Sequence, residues 1–279
     1  MSRIWRVRDA SLRGEETPLL VGIVNATPDS FFDGGCHATP EAAYAHGMRL
    51  AEVGADLLDV GGESTRPGAA PVDSSEERGR IEPVVRSLVA QGVRVCIDTR
   101  HADVARAALD VGACAINDVS GLADPAMLAL CREYSCGACA MHMRGTPANM
   151  QSDTEYVDLE AEVAGYLTGI VERWAQARLP AESLALDPGV GFGKSAAQNH
   201  HLVGATARFR RKFPAHPWYL GLSRKSWIAP LAAKDSDRLA GSLGGALAAA
   251  QAGCDILRVH DVAQTREAIR AFQACRERT

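Results

Sequence analysis

Short apolar runs alternate with longer segments of helical periodicity along most of the chain. The runs are typical of strands that are buried on both faces, and the segments between them repeat apolar residues three and four positions apart, as amphipathic helices do. Eight runs have this character, namely residues 19–24, 56–60, 93–97, 113–116, 138–141, 184–186, 218–222 and 256–259.

Eight strands that alternate with helices predict a parallel sheet, and this number favours an α/β fold of the closed (β/α)8 TIM-barrel type. The alternative is an open doubly wound sheet, which is disfavoured because no G-x-G-x-x-G follows the first apolar run. No linker rich in Pro, Gly and Ser divides the chain. We therefore predict a polar lead-in over residues 1–18 and a single barrel domain over residues 19–279.

Start signals mark several of the predicted helices. Thr39 and Pro40 are typical of an N-cap followed by the first helical residue. Residues 74–77 have capping-box spacing, and Pro83 should kink or shorten the helix that follows them. The glycines and alanines of residues 236–252 predict a slim helix that can approach either the barrel or a second subunit closely. The remaining helices are predicted over residues 101–111, 124–133, 155–178, 196–212 and 263–276.

A polar residue or a glycine pair follows nearly every predicted strand. A strand buried in a core gains nothing from such an ending, whereas a barrel with its active site at the C-terminal ends of its strands requires it. The residues at these positions are Asn25, Gly61, Gly62, Asp98, Asn117, His142, Asp187, Ser223 and His260.

Composition and charge narrow the class of protein. A formal net charge of −4 gives no reason to expect nucleic acid or a membrane surface as partner. No apolar run reaches the length of a membrane span, and the basic N-terminus lacks the apolar stretch of a secretory signal, so a cytoplasmic location is the default expectation. Eight Cys residues in a chain of 279 do not indicate a disulfide scaffold. Cys96, Cys114 and Cys254 lie in apolar runs and are interpreted as small buried residues, whereas Cys136 and Cys139 form a lone C-x-x-C for which a metal or redox role is disfavoured, because no second pair or nearby His pair accompanies it.

Two carboxylates and an amide end the third, fourth and sixth predicted strands, at Asp98, Asn117 and Asp187. In a barrel mouth these groups can pair with the ring N–H and amino groups of a flat heterocycle. They are equally suited to binding a metal or to acid–base chemistry. The alternative is that each is a loop cap, since Asp and Asn are common where strands become turns.

Cationic residues at two strand ends predict an anion site. The second run breaks into a polar segment that contains Thr65 and Arg66, and the guanidinium fork suits phosphate or carboxylate. Period-two alternation places Arg258 and His260 on one face of the last strand, which in a barrel is the interior. Arg224 and Lys225 follow the seventh run, where this fold often binds phosphate, although solvated rim charges are the alternative. His142 is interpreted as structural.

Two predicted loops carry aromatic residues towards the mouth. The loop after the first run holds Phe31 and Phe32, which suits a mobile lid, with an ordinary rim loop as the alternative. The loop after the sixth run ends in G-K-S, but Pro188 stands where a P-loop requires glycine. Its glycines are expected instead to shape a turn that presents Phe192 over the mouth.

Several of these segments resemble, in the same order, the motifs of the dihydropteroate synthase family. They read NATPDSFFDGG, DVGGESTRPGA, DTR, NDVSG, MHMRGTPANMQ, LDPGVGFGK, GLSRKS and RVHDV. The resemblance implies a (β/α)8 barrel that joins 6-hydroxymethyl-7,8-dihydropterin diphosphate to para-aminobenzoate, forming 7,8-dihydropteroate and pyrophosphate. It also implies Mg²⁺ as cofactor, a homodimer, and an enzyme of folate biosynthesis that sulfonamides target.

The resemblance also assigns residues to each ligand. The pterin would be bound by Asp98, Asn117, Asp187 and Lys225. The diphosphate would be held by Asn25 together with Mg²⁺, and by Thr65, Arg66, Arg258 and His260. The para-aminobenzoate pocket would be bordered by Phe31, Pro67, Phe192 and Ser226. The expected catalytic residues are Asp98, Lys225, Arg66 and Asp33, and Asp33 with Arg66 would help to order the two mobile loops.

The implied chemistry is a dissociative, SN1-like displacement, in which the electron-rich ring stabilises a developing cation. Departures from the family pattern are Ala26, where Val is usual, Phe32, where Ser is usual, and the bulky Trp227. Two alternatives are a pterin-binding methyltransferase acting on methyltetrahydrofolate and a non-catalytic pterin-binding paralogue. The cationic anion site disfavours the first alternative, and the presence of every expected catalytic residue disfavours the second.

Overall fold

The computed structural model describes residues 3–14, 17–27, 39–66, 68–234 and 236–276. The strands in this part of the chain are β1 (Trp5–Val7), β2 (Ala10–Leu12), β3 (Leu19–Asn25), β4 (Leu57–Gly61), β5 (Val95–Asp98), β6 (Ala115–Asp118), β7 (Gly137–Met141), β8 (Leu184–Asp187), β9 (Tyr219–Gly221) and β10 (Ile256–Val259). The helices are α1 (Pro40–Glu52), α2 (Ser74–Ala90), α3 (Ala102–Asp110), α4 (Pro125–Glu133), α5 (Leu159–Gln176), α6 (Ala196–Gly204), α7 (Thr206–Lys212), α8 (Leu239–Gln251) and α9 (Val262–Cys275). Short 3₁₀ helices occur at Met150–Ser152, Ala181–Ser183 and Ser226–Leu231.

Strands β3 to β10 form one parallel sheet in the order β8–β7–β6–β5–β4–β3–β10–β9. A bridge between Leu186 and Trp218 joins the two ends of this sheet, and the amide of Leu186 donates to the carbonyl of Pro217 at 2.9 Å. Each strand lies within two residues of its predicted run. The prediction of a (β/α)8 barrel is confirmed, and the open doubly wound sheet was the wrong alternative.

Side chains that point into the barrel form two layers of opposite chemistry. The lower layer is apolar and contains Leu57, Cys96, Ala115, Cys139, Ala185, Tyr219 and Ile256. Two residues further along the same strands, alternation brings a second set inward, and this upper layer includes Asp59, Asp98, Asn117, Asp187 and Arg258. The free thiols of Cys96, Cys114 and Cys254 are buried, as expected, and those of Cys136 and Cys139 are buried as well.

The lead-in contains a β-hairpin that the sequence pattern did not predict. Strands β1 and β2 pair antiparallel, and Trp5 and Val7 are buried in the lower layer while Arg6 faces solvent. The edge of the Trp5 ring packs on Tyr219 with 6.2 Å between ring centroids. A Cβ at Gly137 would lie 2.9 Å from the carbonyl oxygen of Arg6, so glycine lets the hairpin close the lower end of the barrel.

The helix boundaries follow the predicted signals with three corrections. Thr39 caps α1 as predicted, but α2 is capped by Asp73, which accepts a hydrogen bond from the amide of Ser75. Pro83 does not end α2. It has no N–H to donate to the carbonyl of Gly79, but both residues lie on the solvent side of the helix, so the lost hydrogen bond is tolerated. The segment predicted as one helix over residues 196–212 is divided at Ala205 into α6 and α7.

The slim helix α8 approaches its own barrel. A Cβ at Gly241 would lie 2.2 Å from Ile228, and one at Gly245 would lie 2.8 Å from the ring of Trp227. The indole N–H of Trp227 donates to the carbonyl of Leu222 at 3.1 Å. The bulk of Trp227, a departure from the expected pattern, is therefore accommodated by glycine on the facing helix.

Candidate active site

A cavity of about 450 Å³ opens at the C-terminal ends of the barrel strands. Its walls come from the interior faces of several strands and from the loops that follow them. The polar residues that line it include Asn25, Thr27, Glu63, Thr65, Arg66, Asp98, Ser223, Arg224, Lys225, Ser226, Arg258 and His260. The cavity at the mouth of the barrel is thus rich in cationic and hydrogen-bonding groups.

A buried ionic network forms the bottom of the cavity. The guanidinium of Arg258 donates to Asp59 at 2.5 Å and to Asp98 at 2.7 Å, and the amide of Asn117 donates to Asp59 at 2.9 Å. Burial raises the pKa of Asp98 to about 7, although the nearby charge of Arg258 acts in the opposite direction. Burial acts to lower the pKa of Arg258, but Asp59 and Asp98 outweigh it, so the net shift is upward and Arg258 stays cationic.

A second acid–base pair lies beside this network. Burial raises the pKa of Asp187, and one oxygen of its carboxylate accepts a hydrogen bond from the amide of Gly189 at 2.7 Å. Burial lowers the pKa of Lys225 to about 8, with the charge of Asp187 opposing that shift. The Lys225 ammonium donates to the carbonyl of Val190 at 2.6 Å and lies 4.6 Å from the ring centroid of Phe192. Asp187 is therefore buried close enough to Lys225 to affect the pKa of its ammonium, and Lys225 lines the cavity.

Residues at the upper edge of the cavity are carried by loops. Arg66 is exposed and Thr65 is half-buried on the loop after β4. Arg224 donates to Asp261 at 2.9 and 2.5 Å, which holds its guanidinium at the edge. His260 lies 3.0 Å from the hydroxyl of Ser223, and burial together with Arg258 lowers its pKa to about 3. His260 is therefore a neutral imidazole at neutral pH.

The loop after β8 is built around a buried lysine. Gly189, Gly191 and Gly193 all have positive φ, which only glycine adopts readily. The ammonium of Lys194, whose side chain is 3% exposed, donates to the carbonyls of Gly189 and Phe192 at 3.0 and 2.8 Å and lies 3.0 Å from Nδ1 of His142. Lys194 is therefore occupied inside the loop, in agreement with the rejection of a P-loop.

The sequence of the chain matches those of known proteins over most of its length. The pterin binding enzyme family model matches residues 21–260. The chain is 43% identical over 259 residues to the dihydropteroate synthase of Escherichia coli (strain K12), covering 92% of this chain and 91% of that protein. The chain belongs to the dihydropteroate synthase family.

Solved structures of family members superpose closely on the chain. The Yersinia pestis dihydropteroate synthase, solved as a sulfonamide drug complex, is 39% identical with a TM-score of 0.91, covering 97% of this chain and 98% of that one. The Xanthomonas albilineans dihydropteroate synthase with 4-aminobenzoic acid is 43% identical with a TM-score of 0.89, covering 98% of both chains. The expectation of a transferase of this family is confirmed.

Most residues that the family resemblance assigned converge in the cavity. Those that line it directly are Asn25, Thr65, Arg66, Asp98, Phe192, Lys225, Ser226, Arg258 and His260. Asn117 and Asp187 lie in the same upper interior layer and are 6% and 4% exposed. Phe31, Asp33 and Pro67, and with them the predicted lid, lie outside the described residues. His142 is buried against Lys194 and the edge of Tyr166, as expected for a structural histidine.

Sequence reasoning missed Asp59, which links Arg258 to Asn117. Its signal was present, because Asp59 shares the interior face of β4 with Leu57 and Gly61, and a carboxylate inside an apolar strand requires a partner. Sequence reasoning also missed the pairing of Arg224 with Asp261 and of Glu63 with Arg100. These pairs join residues 37 positions apart, and no local pattern indicates them.

Oxygen and nitrogen donors suitable for a cation occur in two places in this family member. The side chain of Asn25 faces the cavity and offers one amide oxygen. Glu63, Glu77 and His101 form a second group, whose donor atoms lie within 4.8 Å of one another. In the described residues no helix has the length and apolar character needed to cross a membrane.

Proposed function

We propose that this chain joins 6-hydroxymethyl-7,8-dihydropterin diphosphate to para-aminobenzoate, forming 7,8-dihydropteroate and pyrophosphate. The observation that carries the proposal is the division of one cavity into a buried layer of carboxylates and an amide and an upper edge rich in cations. The buried layer suits an uncharged ring with many hydrogen-bond donors, and the cationic upper edge suits a diphosphate. Family membership supports the same reaction.

Recognition of the pterin is assigned to Asp98, Asn117, Asp187 and Lys225. Carboxylates accept hydrogen bonds and an amide both donates and accepts, so these groups complement the ring N–H, amino and carbonyl groups of a pterin. Their positions on strand ends and their burial hold them in place before the substrate arrives. A preorganised site of this kind binds a rigid, flat ligand at low entropic cost.

Recognition of the diphosphate is assigned to Thr65, Arg66, Arg258 and His260, with Asn25. The developing negative charge on the leaving pyrophosphate is stabilised by the two guanidinium groups, which remain charged throughout. His260 is neutral in the free protein, and its imidazole can donate a hydrogen bond to the anion without carrying a charge.

The residues present fit the expected Mg²⁺. Mg²⁺ is commonly held by one or two protein oxygens plus substrate phosphates, and the amide oxygen of Asn25 in a cavity suited to diphosphate provides such a donor. Bound there with the diphosphate, Mg²⁺ would neutralise charge on the leaving group.

The proposed reaction is a dissociative displacement at the CH₂ of the pterin. The C–O bond to the diphosphate breaks first, and the electron-rich dihydropterin ring shares the positive charge that forms. Asp98 lies in the bottom layer, and its carboxylate, when ionised, stabilises that positive charge. The neutral amine of para-aminobenzoate then attacks the CH₂ and loses a proton. A nucleophilic side chain is not required.

The amine substrate is assigned to the side of the cavity bordered by Phe192 and Ser226, with Phe31 and Pro67 as further expected contacts. Asp33 is expected to help order the first loop. We also propose a homodimer and a cytoplasmic location, following the family expectation. Light scattering coupled to size exclusion tests the homodimer directly.

A coupling assay tests the proposed reaction. Purified protein is incubated with dihydropterin diphosphate, para-aminobenzoate and MgCl₂, and pyrophosphate release and dihydropteroate formation are followed together. Equal amounts of both products are expected. Folded protein that forms neither product would contradict the proposal, and methyl transfer from methyltetrahydrofolate would favour the methyltransferase alternative.

A further inference from the structure

The loop between β4 and α2, residues 62–72, carries Thr65 and Arg66 to the cavity, and we call it the β4 loop. The carboxylate of Glu63, near the start of the β4 loop, holds the other end of the loop in place. Oε1 of Glu63 accepts a hydrogen bond from the amide of Val72 at 2.9 Å. The loop is therefore closed on itself at its base by one side chain.

The same carboxylate is held from a different strand. Arg100 donates to both oxygens of Glu63, from Nε and from Nη2, each at 2.9 Å. The Glu63 side chain is 7% exposed and that of Arg100 is 32% exposed, so the carboxylate is largely shielded from water while the guanidinium is half-buried. Arg100 comes two residues after Asp98 at the end of β5. The pair thus ties the β4 loop to the strand that carries the bottom carboxylate of the cavity.

Further contacts hold the base of the β4 loop and leave its tip outside. The carbonyl of Gly62 accepts a hydrogen bond from Arg80 at 2.8 Å, and a Cβ on Gly62 would lie 2.7 Å from Ile81. In contrast, Arg66 and Gly68 are exposed. The amide of Gly68 also donates to the carbonyl of Pro147 at 3.1 Å, so the loop is held both at its tip and at its base, where Glu63 is the central group.

The electrostatic surroundings of Glu63 favour its ionised form, which keeps it paired with Arg100. Burial acts to raise the pKa of Glu63, but hydrogen bonds from Arg100 and Val72 outweigh it, and the net shift is downward. A cation site at Glu63, Glu77 and His101 is the competing interpretation of the same carboxylate. The guanidinium of Arg100 already neutralises both oxygens of Glu63 and would repel a metal ion.

We propose that Arg100 is a positioning residue for the reaction, which clamps Glu63 and thereby sets the β4 loop so that Thr65 and Arg66 face the diphosphate. This inference rests on the proposed function for the identity of the anion. Arg100 does not line the cavity among the described residues, so its effect is transmitted through the loop. It is expected to affect diphosphate binding and turnover and to leave pterin recognition unchanged.

The chain offers a matched control for this clamp. Arg106 on α3 makes a bidentate pair with Glu133 of α4 at 2.8 Å for both bonds, on the outside of the barrel. Arg100→Ala and Arg106→Ala therefore remove the same kind of interaction in two places. Comparison of the two variants separates positioning of the loop from general loss of an ion pair.

The experiment measures kcat, the KM for each substrate, the Kd for inorganic pyrophosphate and the Kd for a hydroxymethylpterin that lacks the diphosphate. Arg100→Ala is expected to lower kcat/KM roughly ten- to a hundredfold, as small displacements of catalytic groups do. Pyrophosphate affinity should fall with it, whereas pterin affinity should stay within about twofold of wild type. Arg106→Ala should leave all of these values within about twofold.

A double-mutant cycle adds a second requirement. Glu63→Gln should reproduce most of the loss, and the double variant Arg100→Ala with Glu63→Gln should be little worse than either single variant, because both remove one clamp. Arg100→Lys should recover part of the activity, since it restores the charge without the fork. Circular dichroism and urea unfolding confirm that each variant is folded.

Three results would overturn the inference. They are unchanged kcat/KM and pyrophosphate affinity in folded Arg100→Ala, a loss of pterin affinity equal to the loss of turnover, and a defect in His101→Ala that Arg100→Ala does not share. The last result would favour the cation site. A wild-type protein without coupling activity would contradict the proposed function, while the pyrophosphate measurements would still test the clamp.

Discussion

The bottom and the upper edge of the cavity use similar residues in different surroundings. We call Asp59, Asp98, Asn117, Asp187 and Arg258 the floor, and Thr65, Arg66, Arg224 and Ser226 the rim. Floor residues lie on strands and are mostly buried, and hydrogen bonds join Asp59, Asp98, Asn117 and Arg258. Rim residues follow strands on loops and are partly or fully exposed.

This difference separates two tasks of one site. A floor fixed by the register of parallel strands can hold a rigid ring with little reorganisation. A rim carried by loops can admit and release a charged group, at the cost of requiring supports such as Glu63 and Arg100. Changes in the floor should therefore affect folding and binding together, and changes in the rim should affect diphosphate binding and turnover with little effect on folding.

The largest expected effect is at Arg258. Arg258→Met leaves the carboxylates of Asp59 and Asp98 without their shared partner, and breaking a buried ion pair in this way typically costs about 3–5 kcal/mol. We expect the free energy of unfolding to fall by about that amount and turnover to be nearly abolished. Urea unfolding and the coupling assay measure the two effects.

Arg86→Met is the control for the loss of a charged side chain, since Arg86 pairs with Glu82 on the exposed face of α2. A change within about 0.5 kcal/mol is expected there. If Arg258→Met unfolds with the same free energy as wild type, the pairing of Asp59 and Asp98 with Arg258 does not stabilise the fold.

The next effect is in the rim, at Arg66. Arg66→Ala should lower kcat by roughly 10²–10³-fold, because it removes a cation that stabilises the leaving pyrophosphate. The free energy of unfolding and the Kd for a pterin without diphosphate should remain close to wild type. Arg78→Ala, at an exposed residue of α2, is the control. Loss of pterin affinity as large as the loss of turnover would place Arg66 in the wrong part of the site.

The smallest effect is a pH dependence of pterin binding. Burial raises the pKa of Asp98 to about 7, so this carboxyl is increasingly protonated below that pH and ionised above it. The ionised form accepts hydrogen bonds from the ring, and affinity should weaken about tenfold per pH unit below the pKa. Titration calorimetry from about pH 8 to about pH 6 measures this change.

Asp98→Asn serves as the comparison for the pH series. Its pterin affinity should be weaker and should not fall tenfold per pH unit below about pH 7, because the amide does not titrate, and any pH dependence that remains near pH 8 would belong to Lys225. An equal pH dependence in wild type and in Asp98→Asn would assign the titration to another group.

The barrel and the strand-end residues followed from the sequence because both are local signals. Apolar runs define strands, and the polar residue that ends each run lies at the mouth, as Asp98 and Asp187 do. Alternation alone placed Arg258 and His260 in the cavity. These predictions depend on two-residue periodicity and on parallel order, which tertiary contacts did not override.

Other features depend on partners that are distant in the sequence. Asp59 gains its role from Arg258, 199 positions away. The hairpin has strands of three residues each, too short to show a period, and it is held by contacts with Tyr219 and Gly137. Asp73 replaced the predicted cap of α2 because several polar residues compete at that turn. Such outcomes are decided by packing and pairing, which a linear pattern does not contain.

The barrel seam between β8 and β9 has a consequence for local opening. A bridge at Leu186 and Trp218 joins these strands, while neighbouring pairs in the sheet share longer ladders. Amide hydrogens along this seam should therefore exchange with solvent earlier than those of the other barrel strands. Asp187 ends one side of the seam and Lys225 follows the other, so a ligand held by both would slow that exchange. Protection of the seam amides would then report occupation of the site.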